Sequence, residues 1–203
     1  MTNLITGSPP VSDPLVALAA PANPGGCVAV NNQINLVGNR CYSGISTTLA
    51  NLNFGPGLYY LTGPVLIGNN TNVTGAGVLL YFAGNAAQND CRAGRPAGCI
   101  NVANNPHWQM SAQLAGPYKG ILFYQSPTNH LDAQFDGNNP FYDLSGVMYF
   151  PGAEISFRNG INASNDCMLF VAKRIVINNG NGAFSNVCAA YGGSPILTVT
   201  SGE

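Results

Sequence analysis

Hydrophobic positions along this chain fall in short runs of about four to six residues, and Gly, Asn or Pro closes most of them. Some runs are continuous, as in Val78-Leu79-Leu80-Tyr81-Phe82. Others alternate, as in Ile155-Ser156-Phe157 and Ile175-Val176-Ile177. Alternation puts one strand face inward and the other toward solvent, whereas a continuous apolar run predicts a strand covered on both faces. The terminal segment or an insertion is the expected cover. Helical periodicity is nearly absent; its one weak candidate is Asp13–Ala20, with Pro14 in a first turn after an Asp cap.

The runs repeat. Residues 147–150 (Val-Met-Tyr-Phe) match 167–170 (Cys-Met-Leu-Phe), and 155–160 match 175–180, both at an offset of 20. Gly55 and Gly57 align with Gly75 and Gly77 at the same offset. Ile34-Asn35-Leu36 matches Leu52-Asn53-Phe54 at 18, and the strand from Gly120 matches that from Gly146 at 26. A period near 20 carried by short strands predicts an all-β fold, a right-handed parallel β-helix (β-solenoid) with a long loop insertion. Residues 1–26 read as an extended lead-in. Residues 27–200 read as the solenoid domain, with the insertion at 83–115. Asn-Gly and Asn-Asn steps after strands supply the left-handed geometry of tight corners, and stacked asparagines can bond from one coil to the next.

Composition narrows the function classes. Charged residues make up only 7% of the 203-residue chain and the net charge is −1, against about 25% charged residues in an average soluble domain. The basic stripe that nucleic acid requires is missing, and so is the charge that draws a protein to anionic membranes. There is no run of 18 apolar residues. No signal peptide is recognisable, so the targeting segment of an exported protein would lie outside these residues.

Six cysteines stand at 27, 41, 91, 99, 167 and 188, with no Cys-x-x-Cys pair and only two histidines. This favours disulfides over zinc. Neighbour pairing predicts Cys27–Cys41, Cys91–Cys99 and Cys167–Cys188; a buried free thiol at Cys167 is the alternative.

Of eight carboxylates, three cluster in Asp132–Asp143. Asp132, Asp136, Asn138 and Asp143 form a possible cation or ligand loop, placed in a six-residue bulge. No cofactor is expected; calcium held by that loop is one alternative. A pair of carboxylates working with Arg158 or Lys173 on a sugar or uronate is another, and an Asx-turn loop bonded to its own backbone is the third. His107 and His130 lack the partners of a catalytic triad, and no catalytic residue is assigned. Trp108, His107 and Tyr118 form a possible partner or glycan contact, unless Trp108 covers the side of the core.

Several segments together resemble one family. They are Asp13-Pro14-Leu15, Gly38–Ile45 with Cys41, Phe54–Tyr59, Val73–Val78, Gly116–Phe123, Leu144–Pro151, and Cys167 with Cys188–Gly192. In order and combination, over most of residues 13–192, they resemble the C-terminal region of TadG-like (Tad/Flp) pilus-assembly proteins. The resemblance implies an extracytoplasmic domain, in the periplasm or on the surface of a bacterium. It would be non-enzymatic and act as a rigid platform for pilus assembly or surface adhesion. The implied partners are other pilus or envelope proteins and surface glycans. The hydrophobic helix that precedes this region in the family is not among these residues. A carbohydrate-active enzyme or a glycan-binding module is the alternative. Pro9-Pro10 and Pro14 near one end and Pro195 near the other would blunt the open strand edges; the alternative is end-to-end self-association, with Ile196–Thr200 of one copy beside Leu4-Ile5 of another.

Overall fold

The computed structural model describes residues 13–159 and 167–178. Among them are fifteen strands and no helix. In chain order these are β1 (Val28–Asn31), β2 (Asn35–Leu36), β3 (Arg40–Thr47), β4 (Asn51–Phe54), β5 (Gly57–Leu61), β6 (Pro64–Ile67), β7 (Asn72–Phe82) and β8 (Ala86–Asn89). They continue with β9 (Cys99–Val102), β10 (His107–Ala112), β11 (Ile121–Gln125), β12 (Asn129–Leu131), β13 (Ala133–Gln134), β14 (Phe141–Phe157) and β15 (Met168–Ile177). Every pairing among them is parallel.

Thirteen strands form one sheet, and β8 pairs separately with β12. Three rows of neighbours run through the large sheet. One passes through β2, β4, the first half of β7, β10 and the first half of β14. A second passes through β3, β5, the second half of β7, β11, β14 and β15. The third joins β1, β3, β6, β9, β13, the end of β14 and β15.

This arrangement corrects the expected right-handed β-helix, an open solenoid of short separate strands. Passing through β3, β6, β9, β13, β14, β11, β7 and β5 returns to β3, so eight parallel strands pair in a closed ring. The ring closes because β3, β7 and β14 are long, and each turns a corner from one row into the next. Gly77 (φ +68°) and Gly146 (φ +142°) sit at two of those corners, where an L side chain is strained.

The expected loop insertion at 83–115 is also corrected. It contributes β8, β9 and β10, and the last two enter the sheet between older and newer neighbours. The long departure from it is 84–98, with β8; residues 113–115 begin the loop between β10 and β11. The shift in rhythm follows from that excursion: β6 to β9 and β7 to β10 are both offset by 35 (Pro64↔Cys99, Asn72↔His107). The Asp13–Ala20 helix is likewise not formed. Residues 14–17 are a turn, closed by the Leu15 amide donating to Asp13 Oδ1 at 2.9 Å.

Inside the ring lies one core. Rings stack in it from strand to strand: Tyr42 on Tyr59 (5.6 Å), Phe82 near Phe123 (6.2 Å) and Phe135 on Phe157 (5.1 Å between centroids). Trp108 is fully buried among Phe123, Phe135 and Tyr142. A second apolar cluster lies on the outer side of the second row. There Leu79, Tyr81, Ile121, Tyr124, Val147 and Tyr149 are covered by Leu15 and Leu18 of the N-terminal segment. This accounts for the continuous apolar runs, since those strands bury both faces.

The corners are built from asparagine. Asn70, Asn105 and Asn139 all have positive φ (58°, 53° and 49°). The Asn105 side-chain amide donates to Asn70 Oδ1 at 2.9 Å, the Asn104 backbone amide to Asn69 Oδ1, and the Asn138 amide to Asn104 Oδ1. Each corner thus tethers the next.

Candidate functional site

The first row turns one face outward as a grid. Alternation along each strand exposes Asn51 and Asn53 on β4, Asn72 and Thr74 on β7, and His107 and Gln109 on β10, with Phe141 and Asp143 half-buried on β14. Register lines them up: Asn35, Asn53, Thr74, Gln109 and Asp143 form one column across five strands. Asn51, Asn72, His107 and Phe141 form a second. Neighbours bond along the columns, Asn53 Nδ2 to Asn35 Oδ1 at 3.3 Å and Thr74 Oγ1 to Asn53 Oδ1 at 3.1 Å. Asn72 Nδ2 reaches Asn51 Oδ1 at 3.4 Å. His107 and Phe141 meet edge to face at 4.6 Å.

Beside the first column the residues are small: Gly55, Ala76, Ser111 and Ser145. They floor two adjoining hollows of about 490 and 740 Å³ that share Asn53, Ala76, Ser111 and Ser145. Pro56 and Leu114 border the larger one, and Leu114 is 61% exposed. Among the described residues, Asp143 is the only carboxylate lining either hollow, and no Lys or Arg lines them.

The expected ligand loop does not come together. Asp132 and Asp136 flank β13 on the third row, whereas Asp143 lies on the first row beside Gln109. Asp132 Oδ1 accepts the Glu154 amide at 3.0 Å, and Asp136 Oδ1 accepts the Arg158 amide at 2.8 Å. The Asn159 side-chain amide donates to the Asp136 carbonyl oxygen. Asn138 belongs to the asparagine corner. Asp132 and Asp136 thus accept amides from the neighbouring strand 22 residues on, which is a tie between strands and not the local Asx turn weighed above. Among the described residues, no three His, Cys, Asp or Glu side chains converge as a metal site.

Glu154, which the sequence did not single out, is the centre of the charged cluster. Its nearly buried carboxylate lies 2.5 Å from Arg158 and 3.1 Å from Arg174, and Arg158 also reaches Asp136 at 3.5 Å. Ser156, between these two residues in sequence, is 1% exposed, and its hydroxyl has no hydrogen-bond partner among the described residues. Burial, with the Glu154 charge adding to it, holds the Asp132 carboxyl above its ordinary range. Lys173 is turned to Gln88, 3.1 Å from its Oε1.

Trp108 is 0% exposed, so it cannot touch a partner; of the two readings of this residue, surface contact or cover for the core, burial is the one observed. Its outward neighbour His107 is exposed and belongs to the grid. Tyr118 is on another surface, donating to the Ala19 carbonyl at 3.1 Å, so the three residues do not form one site. His130 Nδ1 lies 3.0 Å from the Gly152 carbonyl, a backbone partner.

Disulfides Cys27–Cys41 and Cys91–Cys99 are formed. Cys167 is disulfide-bonded as well, and no free cysteine is present among the described residues. The expected partner Cys188, together with Leu4-Ile5 and Ile196–Thr200, lies outside the described residues. Disulfides belong to proteins that fold in an oxidising compartment. Among the described residues, no helix is long and apolar enough to cross a membrane.

Sequence reasoning missed the grid, although a signal for it was present. Asn104-Asn105-Pro106-His107-Trp108-Gln109-Met110-Ser111 is repeated at an offset of 34 as Asn138-Asn139-Pro140-Phe141-Tyr142-Asp143-Leu144-Ser145. Within each copy, residues alternate outward and inward.

Fold and surface together define an all-β protein: a closed parallel sheet, clamped by disulfides, with a polar side-chain grid on one face. No family model matches the chain, and neither does any curated protein or solved structure.

Proposed function

We propose that this chain is a non-enzymatic, extracytoplasmic domain of a Tad/Flp pilus-associated protein, serving as a rigid platform for pilus assembly or surface adhesion. The observation that carries this reading is the outward grid. Its two columns repeat amide, hydroxyl and imidazole groups on parallel strands about 4.8 Å apart. Such a face suits an extended partner better than a single small substrate enclosed in a pocket. The closed sheet and stacked rings underneath hold it stiff, so little ordering cost is left for binding. The Asp132, Asp136 and Glu154 carboxylates are engaged with backbone amides and guanidinium groups, which favours a structural role for them. The resemblance of residues 13–192 to TadG-like proteins supplies the pilus context, and the disulfides agree with an envelope location.

The test is deletion of the gene in the producing bacterium, paired with assay of the purified protein on a polysaccharide panel. Loss of pili or of surface attachment, restored by the gene, together with no turnover, is the expected result. Normal piliation and attachment after deletion would overturn the platform, and turnover of any polysaccharide would overturn the non-enzymatic assignment.

A further inference from the structure

We propose that the grid face and its small-residue trough bind a neutral, extended polysaccharide lying across β4, β7, β10 and β14. The inference rests on the platform reading and names its ligand class.

Three features select the class. First, the face offers neutral amide and hydroxyl groups in register. Asn53, Thr74 and Gln109 both donate and accept, which suits ligands whose hydroxyls do the same. Their repeat of about 4.8 Å along the column is close to the rise of one pyranose in an extended chain, so each strand can meet one sugar. Second, charge excludes the common alternatives. With no Lys or Arg among the described residues that line the trough, and Asp143 at one end, phosphorylated or uronic chains meet repulsion and find no counter-ion there. Asp143 can instead accept from vicinal hydroxyls in charge-assisted bonds. Third, the trough is shaped for rings. Gly55, Ala76, Ser111 and Ser145 leave a shallow floor, and Leu114 stands exposed at its side. The edge-to-face pair of His107 and Phe141 offers an apolar surface at the end of the neighbouring column.

The experiment is isothermal titration of the purified chain with three hexasaccharides: a β-1,4-glucan, its N-acetylglucosamine counterpart and a polyuronate. Saturable binding of at least one neutral chain is expected, with the polyuronate weaker by tenfold or more. Gln109→Ala and Asp143→Asn should each weaken that binding by about tenfold, the effect of one or two hydrogen bonds. Thr74→Lys, which puts a long charged side chain across the column, should abolish it. Each variant must keep the wild-type melting temperature and Trp108 emission, and an outward substitution on an exposed strand face allows that.

No binding to either neutral chain, preference for the polyuronate, or variants that bind as wild type would each overturn the inference. Failure here alongside lost attachment in the deletion strain would remove the glycan and leave the platform standing. Binding accompanied by cleavage would keep the glycan class and remove the non-enzymatic platform.

Discussion

The Tyr149 hydroxyl donates a hydrogen bond to Asp13 Oδ2 at 2.6 Å and so ties the middle of β14 to a residue 136 positions earlier. Tyr124 and Tyr118 continue the attachment, donating to the carbonyls of Leu18 and Ala19 at 2.8 and 3.1 Å. Leu15 and Leu18 lie on the apolar outer face beneath. Burial holds the Tyr149 hydroxyl protonated far above its ordinary range and pushes Tyr124 up to about 12. Both therefore remain donors across the physiological pH range.

Tyr149→Phe removes one charge-assisted bond and leaves Asp13 near an apolar surface. A loss of about 1.5–3 kcal/mol is expected, read from denaturant unfolding. Amide exchange across residues 13–19 should speed up more than exchange in β7 or β11. Uniform acceleration over the whole sheet would show that the segment is not held by this contact.

Trp108 reports on the core. It is enclosed by rings, and its indole N–H has no hydrogen-bond partner among the described residues. Its fluorescence should be blue-shifted and resistant to iodide quenching. Trp108→Ala should cost about 3–5 kcal/mol, whereas Trp108→Phe also removes the unpaired N–H and should cost clearly less. Emission like that of free tryptophan would contradict the burial.

Much of the sheet could be read from the chain, and the misreadings have physical causes. Pairing at an offset of 18 put Asn35 beside Asn53 and Leu36 beside Phe54, which is the observed register. Pairing at 20 put Ile155 beside Ile175, also as observed. Aligning Gly55 with Gly75 failed by one residue, because Phe54 is the partner of Gly75 and Gly57 faces Val78. A Cβ on Gly75 would come 2.9 Å from Val78 Cγ2 and 3.0 Å from the Phe54 Cβ and carbonyl oxygen, so both neighbours call for glycine there. Matching Val147 to Cys167 missed by two, since Val147 pairs with Leu169 and the register slips between Phe150 and Glu154. Bulges of this kind leave no mark in a hydrophobic pattern. The excursion at 84–98 hid β9 and β10 by shifting the rhythm to 35. Closure of the ring could not be seen because a strand that turns a corner looks, in sequence, like two strands. As for the site, His107 and Asp143 were picked out as residues. Their shared face depended on the unread register between β10 and β14.

Cys91–Cys99 closes the excursion beneath β8. The Cys91 amide donates to Gln134 Oε1, and Asn101 Nδ2 donates to the Cys91 carbonyl, so the loop is bonded to the outer face of the third row. Replacing both cysteines with serine should cost roughly 2–3 kcal/mol by loop-closure entropy. Proteolysis should then cut first within 84–98. An unchanged melting temperature and cleavage pattern would show that side-chain bonds alone hold the loop.

Asp132 gives a pH signature. Its carboxyl is raised in the folded state, mainly by burial. Folding therefore favours its protonated form, and stability falls as pH rises from the unfolded to the folded value. Above that window the cost is present in full, and below it the cost is gone. Asp132→Asn, which keeps an acceptor for the Glu154 amide, should melt higher than wild type at pH 7. The difference should shrink as pH falls from the raised value to the ordinary aspartate value, and be gone below it. A variant that melts lower at neutral pH would mean that attraction to Arg158 outweighs burial.

The account turns on the face formed by β4, β7, β10 and β14. Its most direct test is attachment of the producing bacterium when the native gene carries Thr74→Lys together with Gln109→Lys. Two lysines there obstruct the grid without entering the core. Normal protein levels with attachment reduced to that of the deletion strain is the predicted result. Attachment at the wild-type level would contradict it.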